Sequence, residues 1–216
     1  MLKIPIRRER GMSLVELMIA IGVGAFVTAG LIAMFQVNIR MYSSSMDYIR
    51  LNQELRAILY IVTRDLRRAG YWANATSQVG IGGATYATPF AAINTATPGC
   101  VLFSYDLNKN GAADTAEQFG FLFDAAAVKM QSGHTANSCV TSSDWEALND
   151  VDITEITNLT FVPATQSIDL DGPGPRTSSI QVRTLTVNLS GRLKRDPAVT
   201  ASVSESVRIR NDGYTD

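Results

Sequence analysis

One histidine and two cysteines in 216 residues leave little material for several kinds of chemistry. His134 lies in the loop-like run from Gln131 to Asn137, with no cysteine nucleophile or carboxylate motif beside it. No serine stands in a Gly-x-Ser-x-Gly setting and no glycine-rich phosphate loop occurs, so there is no nucleophile elbow and no nucleotide cradle. The two cysteines, Cys100 and Cys139, have neither a CxxC spacing nor a histidine cluster, which argues against zinc. An excess of one charge is also missing. Nineteen basic residues face 20 acidic ones, so bulk attraction to nucleic acid is not expected. The sequence is read as that of a non-enzyme.

What is present begins at the N-terminus. Lys3, Arg7, Arg8 and Arg10 stand against Glu9 alone and are followed by Gly11. The next 24 residues, Met12 to Phe35, carry one ionisable side chain, Glu16. At about 1.5 Å per residue they form a helix of roughly 36 Å, enough to cross a hydrocarbon core of about 30 Å with some tilt. A carboxylate inside such a span costs on the order of 3 kcal/mol, so Glu16 calls for a functional explanation. The basic residues before the span keep the N-terminus cytoplasmic and place the bulk of the chain outside the inner membrane. A secretory signal has an apolar core of about 7–15 residues followed by a small-residue cleavage site. Here the apolar run is longer, and the best small-residue site precedes it.

From Val37 to Ala69 neither proline nor glycine interrupts the chain. Leu51, Leu55, Ile58, Val62, Leu66 and Ala69 recur at spacings of three and four, leaving Arg50, Glu54, Arg56, Arg64, Asp65 and Arg67 largely off that seam. This predicts an amphipathic helix continuing the apolar one, with Gly70 as its stop. A helix from Met12 to Ala69 would be about 87 Å long. Gly22, Gly24 and Gly30 serve either close helix contacts or local unwinding. Arg64, Asp65 and Arg67 form either a solvated face with local ion pairs or a subunit contact.

The segment Arg8-Glu9-Arg10-Gly11 followed by Met12-Ser13-Leu14-Val15-Glu16-Leu17 resembles the class III leader of type IV pilins and type II secretion pseudopilins. The resemblance implies that a prepilin peptidase cuts between Gly11 and Met12 and methylates the new N-terminus. Glu16 then becomes the fifth mature residue and assists subunit assembly. The family usually has phenylalanine where Met12 stands. The alternative is an uncleaved single-pass anchor with Glu16 near the headgroups. Further on, Leu51-Asn52-Gln53-Glu54-Leu55-Arg56 and Arg64-Asp65-Leu66-Arg67-Arg68-Ala69-Gly70-Tyr71-Trp72 resemble PilW-type minor pilins. The likeness covers roughly residues 8–72. Pseudopilins of the J class share the Arg-Asp-Leu-Arg helix but less often the Gly-Tyr-Trp continuation.

Beyond Tyr71, residues 73–99 read as a long surface loop rich in Ala, Thr, Gly, Ser and Asn. Strands are predicted over Val101–Tyr105 and Gln118–Phe123. Between them, residues 106–117 match the pattern D-x-[DN]-x-[DN]-G-x5-E, with candidate calcium ligands Asp106, Asn108, Asn110, Ala112 (through its carbonyl), Asp114 and Glu117. Strand-like flanks, in place of the paired helices of an EF-hand, leave an ordinary hydrophilic hairpin turn as the other reading. Cys100 and Cys139, outside the cytoplasm, are expected to form a disulfide, with free buried thiols as the alternative. Asp144–Leu148 reads as one helical turn, Ile153–Phe161 as a strand with a bulge, and Ser167–Pro175 as a turn-rich loop. Ile180–Leu189 alternates, as do Val203, Val207 and Ile209, with Asp196-Pro197 between them as a hairpin.

The expected fold is α+β, a long transmembrane and amphipathic helix packed on a C-terminal antiparallel sheet of four to six strands. Residues 1–11 form a leader, 12–36 the membrane half of the helix, 37–70 its amphipathic half and 71–216 the β-rich domain. The resemblance implies a filament subunit acting in type IV pilus assembly, with other pilins, the assembly machinery, prepilin peptidase and the inner membrane as partners. It also implies a periplasmic globular domain that reaches the pilus or cell surface. The alternatives are a type II secretion pseudopilin and an anchored, calcium-dependent binding module.

Overall fold

The computed structural model describes residues 11–75, 88–133, 138–170, 172, 179–210 and 212–215. The leader residues before Gly11 and the lone His134 lie outside the described residues. The chain divides into two compact units, Met1–Met46 and Asp47–Asp216.

A single helix, α1 (Leu14–Leu66, 53 residues), runs from the first unit into the second. It is unbroken at Gly22, Gly24 and Gly30. Its last turn ends three residues short of the predicted Ala69, and a turn carries the chain to Gly70. Gly70 has φ 77°, and its N–H donates to the Ser104 carbonyl at 2.9 Å. A left-handed conformation suits glycine, and the bond turns the chain off the helix axis toward the sheet.

In the second unit the predicted seam is buried: Leu51, Leu55, Ile58, Val62 and Leu66 on α1, and Ala69 in the turn after it, are at most 2% exposed. Asp65 departs from the predicted solvated face, being buried and paired with Arg64 at 3.2 Å. Arg67 reaches across the fold to Glu205 at 2.7 Å, an inter-element pair where local helix pairs were expected.

The one sheet anticipated from the sequence is two. The first has five antiparallel strands in the order β1 (Ile93–Asn94), β2 (Cys100–Ser104), β3 (Gln118–Asp124), β4 (Ala127–Ser132) and β5 (Glu146–Ala147). In the second, β6 (Thr154–Asp169) and β8 (Thr200–Arg208) flank β7 (Ser179–Leu193), and β9 (Gly213–Thr215) also pairs with β7. Both sheets turn apolar residues onto the seam. Val101, Phe103, Phe121 and Val128 come from the first, and Ile156, Leu159, Val187, Leu189 and Val207 from the second.

Several expectations are corrected. Residues 144–148 form no helical turn: Trp145 is buried and Glu146–Ala147 pair with β4, because the disulfide and the Trp145 side chain hold this segment against the sheet. Ser167–Asp169 continue β6 as a strand, held by a full register opposite Ser179–Gln181. The supposed loop before Cys100 contains the short edge strand β1 and the fully buried Phe90. The predicted bulge is present as a register shift between Ile156 and Asn158.

Candidate functional site

Three features bear on function: the N-terminal helix end, the 106–117 loop and the disulfide segment. At the first, Gly11, Met12 and Ser13 precede α1, whose winding starts where the Leu17 N–H donates to the Ser13 carbonyl at 3.1 Å. Every residue from Gly11 to Met46 is exposed, including Val15, Leu17, Met18, Ile19 and Phe26. An apolar surface of this extent needs lipid or neighbouring helices to cover it, and the helix is long and apolar enough to cross a membrane. Of the two polar side chains between Leu14 and Phe35, Thr28 turns its hydroxyl back to the Gly24 carbonyl at 2.6 Å. That bond satisfies it without any external partner. Glu16, in the first turn, has no such partner among the described residues.

The 106–117 loop is built against the end of α1. The Asp106 N–H donates to the Tyr71 carbonyl at 2.9 Å. Its carboxylate Oδ2 accepts from the backbone N–H groups of Ala73 and Gly111, at 3.0 and 3.1 Å. The Trp72 indole N–H donates to the Gly111 carbonyl at 2.9 Å. Gly111 has φ 80°, and a β-carbon there would run into the Asn74 side chain, so the loop needs glycine for both conformation and space. At the other end, Glu117 is buried and accepts from the N–H groups of Leu107, Asn108 and Asp114 at 2.8, 3.2 and 3.0 Å. The amide groups of Asn108 and Asn110 both donate to Asp114 Oδ2, at 2.8 and 3.0 Å. Of the proposed ligands, the side chains of Asn108, Asn110 and Asp114 thus converge, while Asp106 and Glu117 point inward at either end. Ala112 is exposed, its N–H bonded to the Asn110 side chain. No three His, Cys, Asp or Glu side chains gather at metal-holding distance among the described residues.

Cys100 and Cys139 form the expected disulfide. With Leu102, Leu122 and Trp145 they make a small apolar cluster on the far face of the first sheet. Nearby, Asp124 is bonded to Lys129 at 2.6 Å and to the Thr141 hydroxyl at 2.9 Å. The Lys129 ammonium and then the Thr141 hydroxyl hold the Asp124 carboxyl below its ordinary range. On the helix side, Arg68 lies 4.2 Å from the centre of the Tyr105 ring, which stacks on Phe119 at 4.1 Å. Burial pushes the Tyr105 hydroxyl up, against the opposing effect of Arg68. The arginines of the Arg-Asp-Leu-Arg-Arg run all make contacts within the chain: Arg64 on Asp65, Arg67 on Glu205 and Arg68 on Tyr105.

Sequence reasoning missed two groups. Asn149 joins the two sheets, accepting from the Val128 N–H at 2.9 Å and donating to the carbonyls of Ala126 and Thr154 at 3.2 and 2.9 Å. Nothing in its local sequence marks it. Trp72 stands in the sequence only as part of a signature, and its bond to Gly111 spans 39 residues, which only the fold reveals.

The profile described as the prokaryotic N-terminal methylation motif matches residues 6–32. The profile described as prepilin peptidase-dependent protein B matches residues 44–209. No curated protein and no solved structure matches significantly. The leader motif implies processing by prepilin peptidase, and with the apolar helix it makes the chain a membrane-anchored, pilin-like protein of the pilus or secretion pseudopilin kind. Because the second profile spans most of the sequence, the chain belongs to the prepilin peptidase-dependent protein B family.

Proposed function

We propose that this chain is a non-enzymatic minor pilin of the PilW type that acts in assembling or initiating a type IV pilus. The precursor is held in the inner membrane with its basic leader in the cytoplasm and its β-rich domain in the periplasm. Cleavage between Gly11 and Met12 leaves a methylated N-terminus at Met12, with Glu16 as the fifth mature residue. The apolar helix then leaves the bilayer for a bundle of like helices, where Glu16 pairs with the α-ammonium of a neighbouring subunit. The β-rich domain sets which partners are accepted.

The observation that carries this reading is Glu16 itself. It is the one polar side chain without a partner in the span from Leu14 to Phe35, one turn past a leader glycine. A lone carboxylate is unfavourable in lipid, whereas one paired with an ammonium in a helix bundle is not. Mass spectrometry of the protein from its native membrane tests the first step. The expected mature chain begins at Met12 and carries one extra methyl group, and an intact Met1 would overturn the reading. Glu16→Ala leaves an ammonium unpaired, which costs about 3–5 kcal/mol in apolar surroundings, so filament incorporation falls roughly a hundredfold or more. Incorporation unchanged by Glu16→Ala would leave only an anchor. Loss of surface pili with secretion intact, on deleting the chain, fits the pilus reading; the reverse moves it to a secretion pseudopilus.

A further inference from the structure

We propose that the 106–117 loop is a calcium site whose occupation fastens the hairpin between β2 and β3 to the end of α1. The sequence pattern alone does not decide between a cation loop and a turn. The structure adds a buried anion: Asp106 is 1% exposed, and its Oδ1 accepts no hydrogen bond. The other oxygen of the same carboxylate binds the Gly111 N–H, so the group faces the interior of the loop. A carboxylate oxygen sealed from water without a donor costs about 1–3 kcal/mol or more, and a cation among the loop oxygens offsets it.

The charge balance points the same way. Asp106, Asp114 and Glu117 are countered within the loop by Lys109 alone, and none of the three acids makes an ion pair among the described residues. The donors are all hard oxygens with no thiol or imidazole, the set that calcium prefers over zinc or copper. Asp114 Oδ2 already draws the Asn108 and Asn110 side chains to within about a hydrogen bond of one point. Rotating those two amides by half a turn replaces nitrogen with oxygen there, a change of little steric consequence. Their Oδ1 atoms would then exchange their turn bonds to Asn110 and Ala112 for the cation. The Glu117 carboxylate, whose two oxygens accept from the Leu107, Asn108 and Asp114 N–H groups, closes the loop from the far side by giving up part of those bonds to the cation, and the Ala112 carbonyl supplies the backbone ligand. Calcium tolerates 6–8 ligands in loose geometry, which suits side chains that must rearrange; magnesium demands a stricter octahedron.

The consequence reaches the helix. Asp106 binds Ala73, Asp106 N–H binds Tyr71, and Gly111 receives Trp72, so ordering the loop orders residues 71–73 as the chain leaves α1. Full-length protein in detergent, stripped by chelator, is titrated by calorimetry with calcium chloride and, separately, with magnesium chloride. The expected result is one calcium per chain with a dissociation constant of about 10⁻⁴–10⁻³ M, as in extracellular calcium modules, and magnesium at least tenfold weaker. Asp114→Asn, at a partly exposed position, should keep the melting temperature measured in chelator and weaken calcium at least tenfold. Asp106→Asn should abolish binding. Terbium in place of calcium should show emission sensitised by the neighbouring Trp72 and lost in Trp72→Phe. Absence of saturable calcium heat, or unchanged affinity in Asp114→Asn, overturns the proposal, as does terbium emission that survives Trp72→Phe. The outcome is independent of whether Gly11 is processed, so it stands or falls apart from the filament reading.

Discussion

At the scale of single residues, the least expected feature is the β3–β4 connection. Asp124 pairs with Ala127, so Ala125 and Ala126 form a two-residue turn, with φ 50° and 63°. Both central residues at positive φ is the type I′ arrangement, which normally selects Asn-Gly or Asp-Gly. Alanine in this region costs about 1–2 kcal/mol. The turn is held because the Ala126 carbonyl accepts from the Ile156 N–H at 2.9 Å and from Asn149. Ala126→Gly should relieve that strain, against about 0.4–1 kcal/mol for the added freedom of the unfolded chain. The expected net gain is about 0.5–1 kcal/mol in denaturant unfolding. A loss would show that the alanine methyl group contributes packing the strain argument omits. The same residue pair explains why β4 escapes a reading by turn signals.

At the scale of elements, the β3–β4 hairpin and the segment after Cys139 are joined through Asp124. Its carboxyl is lowered by Lys129 and Thr141. A lowered folded value means that the proton binds more readily to the unfolded chain. The stability this group adds is therefore complete above the ordinary aspartate value of about 3.9 and is lost as pH falls through the lower folded value. Melting temperature measured from pH 7 downward should fall in the acid range, and the gap between the parent and Asp124→Asn should close there. A gap that stays constant to the lowest pH would assign the effect to packing. Because the group is solvent-accessible, the change is expected to be small.

At the scale of the whole molecule, α1 serves two environments. Before Met46 it is exposed throughout, and after Asp47 its seam is the centre of a core shared by two sheets. The disulfide ties the segment between β4 and β6 to β2. Closing a loop across a separation of 39 residues stabilises by about 3–4 kcal/mol in the chain-entropy account. Cys100→Ser combined with Cys139→Ser should lose about that much in guanidinium unfolding of the full-length protein. A loss well below 1 kcal/mol would mean that Trp145 and β5 hold the segment unaided.

The sequence by itself determined the features that depend on local composition and period. The apolar run with its single glutamate, the seam from Leu51 to Ala69, the stop at Gly70 and the paired cysteines are all legible there, because a helix repeats every 3.6 residues and a membrane span needs about 20 apolar ones. The bulge near Ile156 was legible too, since it breaks the alternation of a strand. Tertiary structure decided what depends on partners far along the chain. Splitting the strands into two sheets follows from α1 presenting a surface broad enough for both, and no strand records that in its own pattern. Asp65 is buried and paired with Arg64, and Glu146–Ala147 form a strand because Trp145 is anchored beside the disulfide. The 106–117 motif was plain in the sequence. That its first carboxylate is sealed beneath the end of the helix, with one oxygen unbonded, depends on contacts with residues 71–74 that only folding supplies.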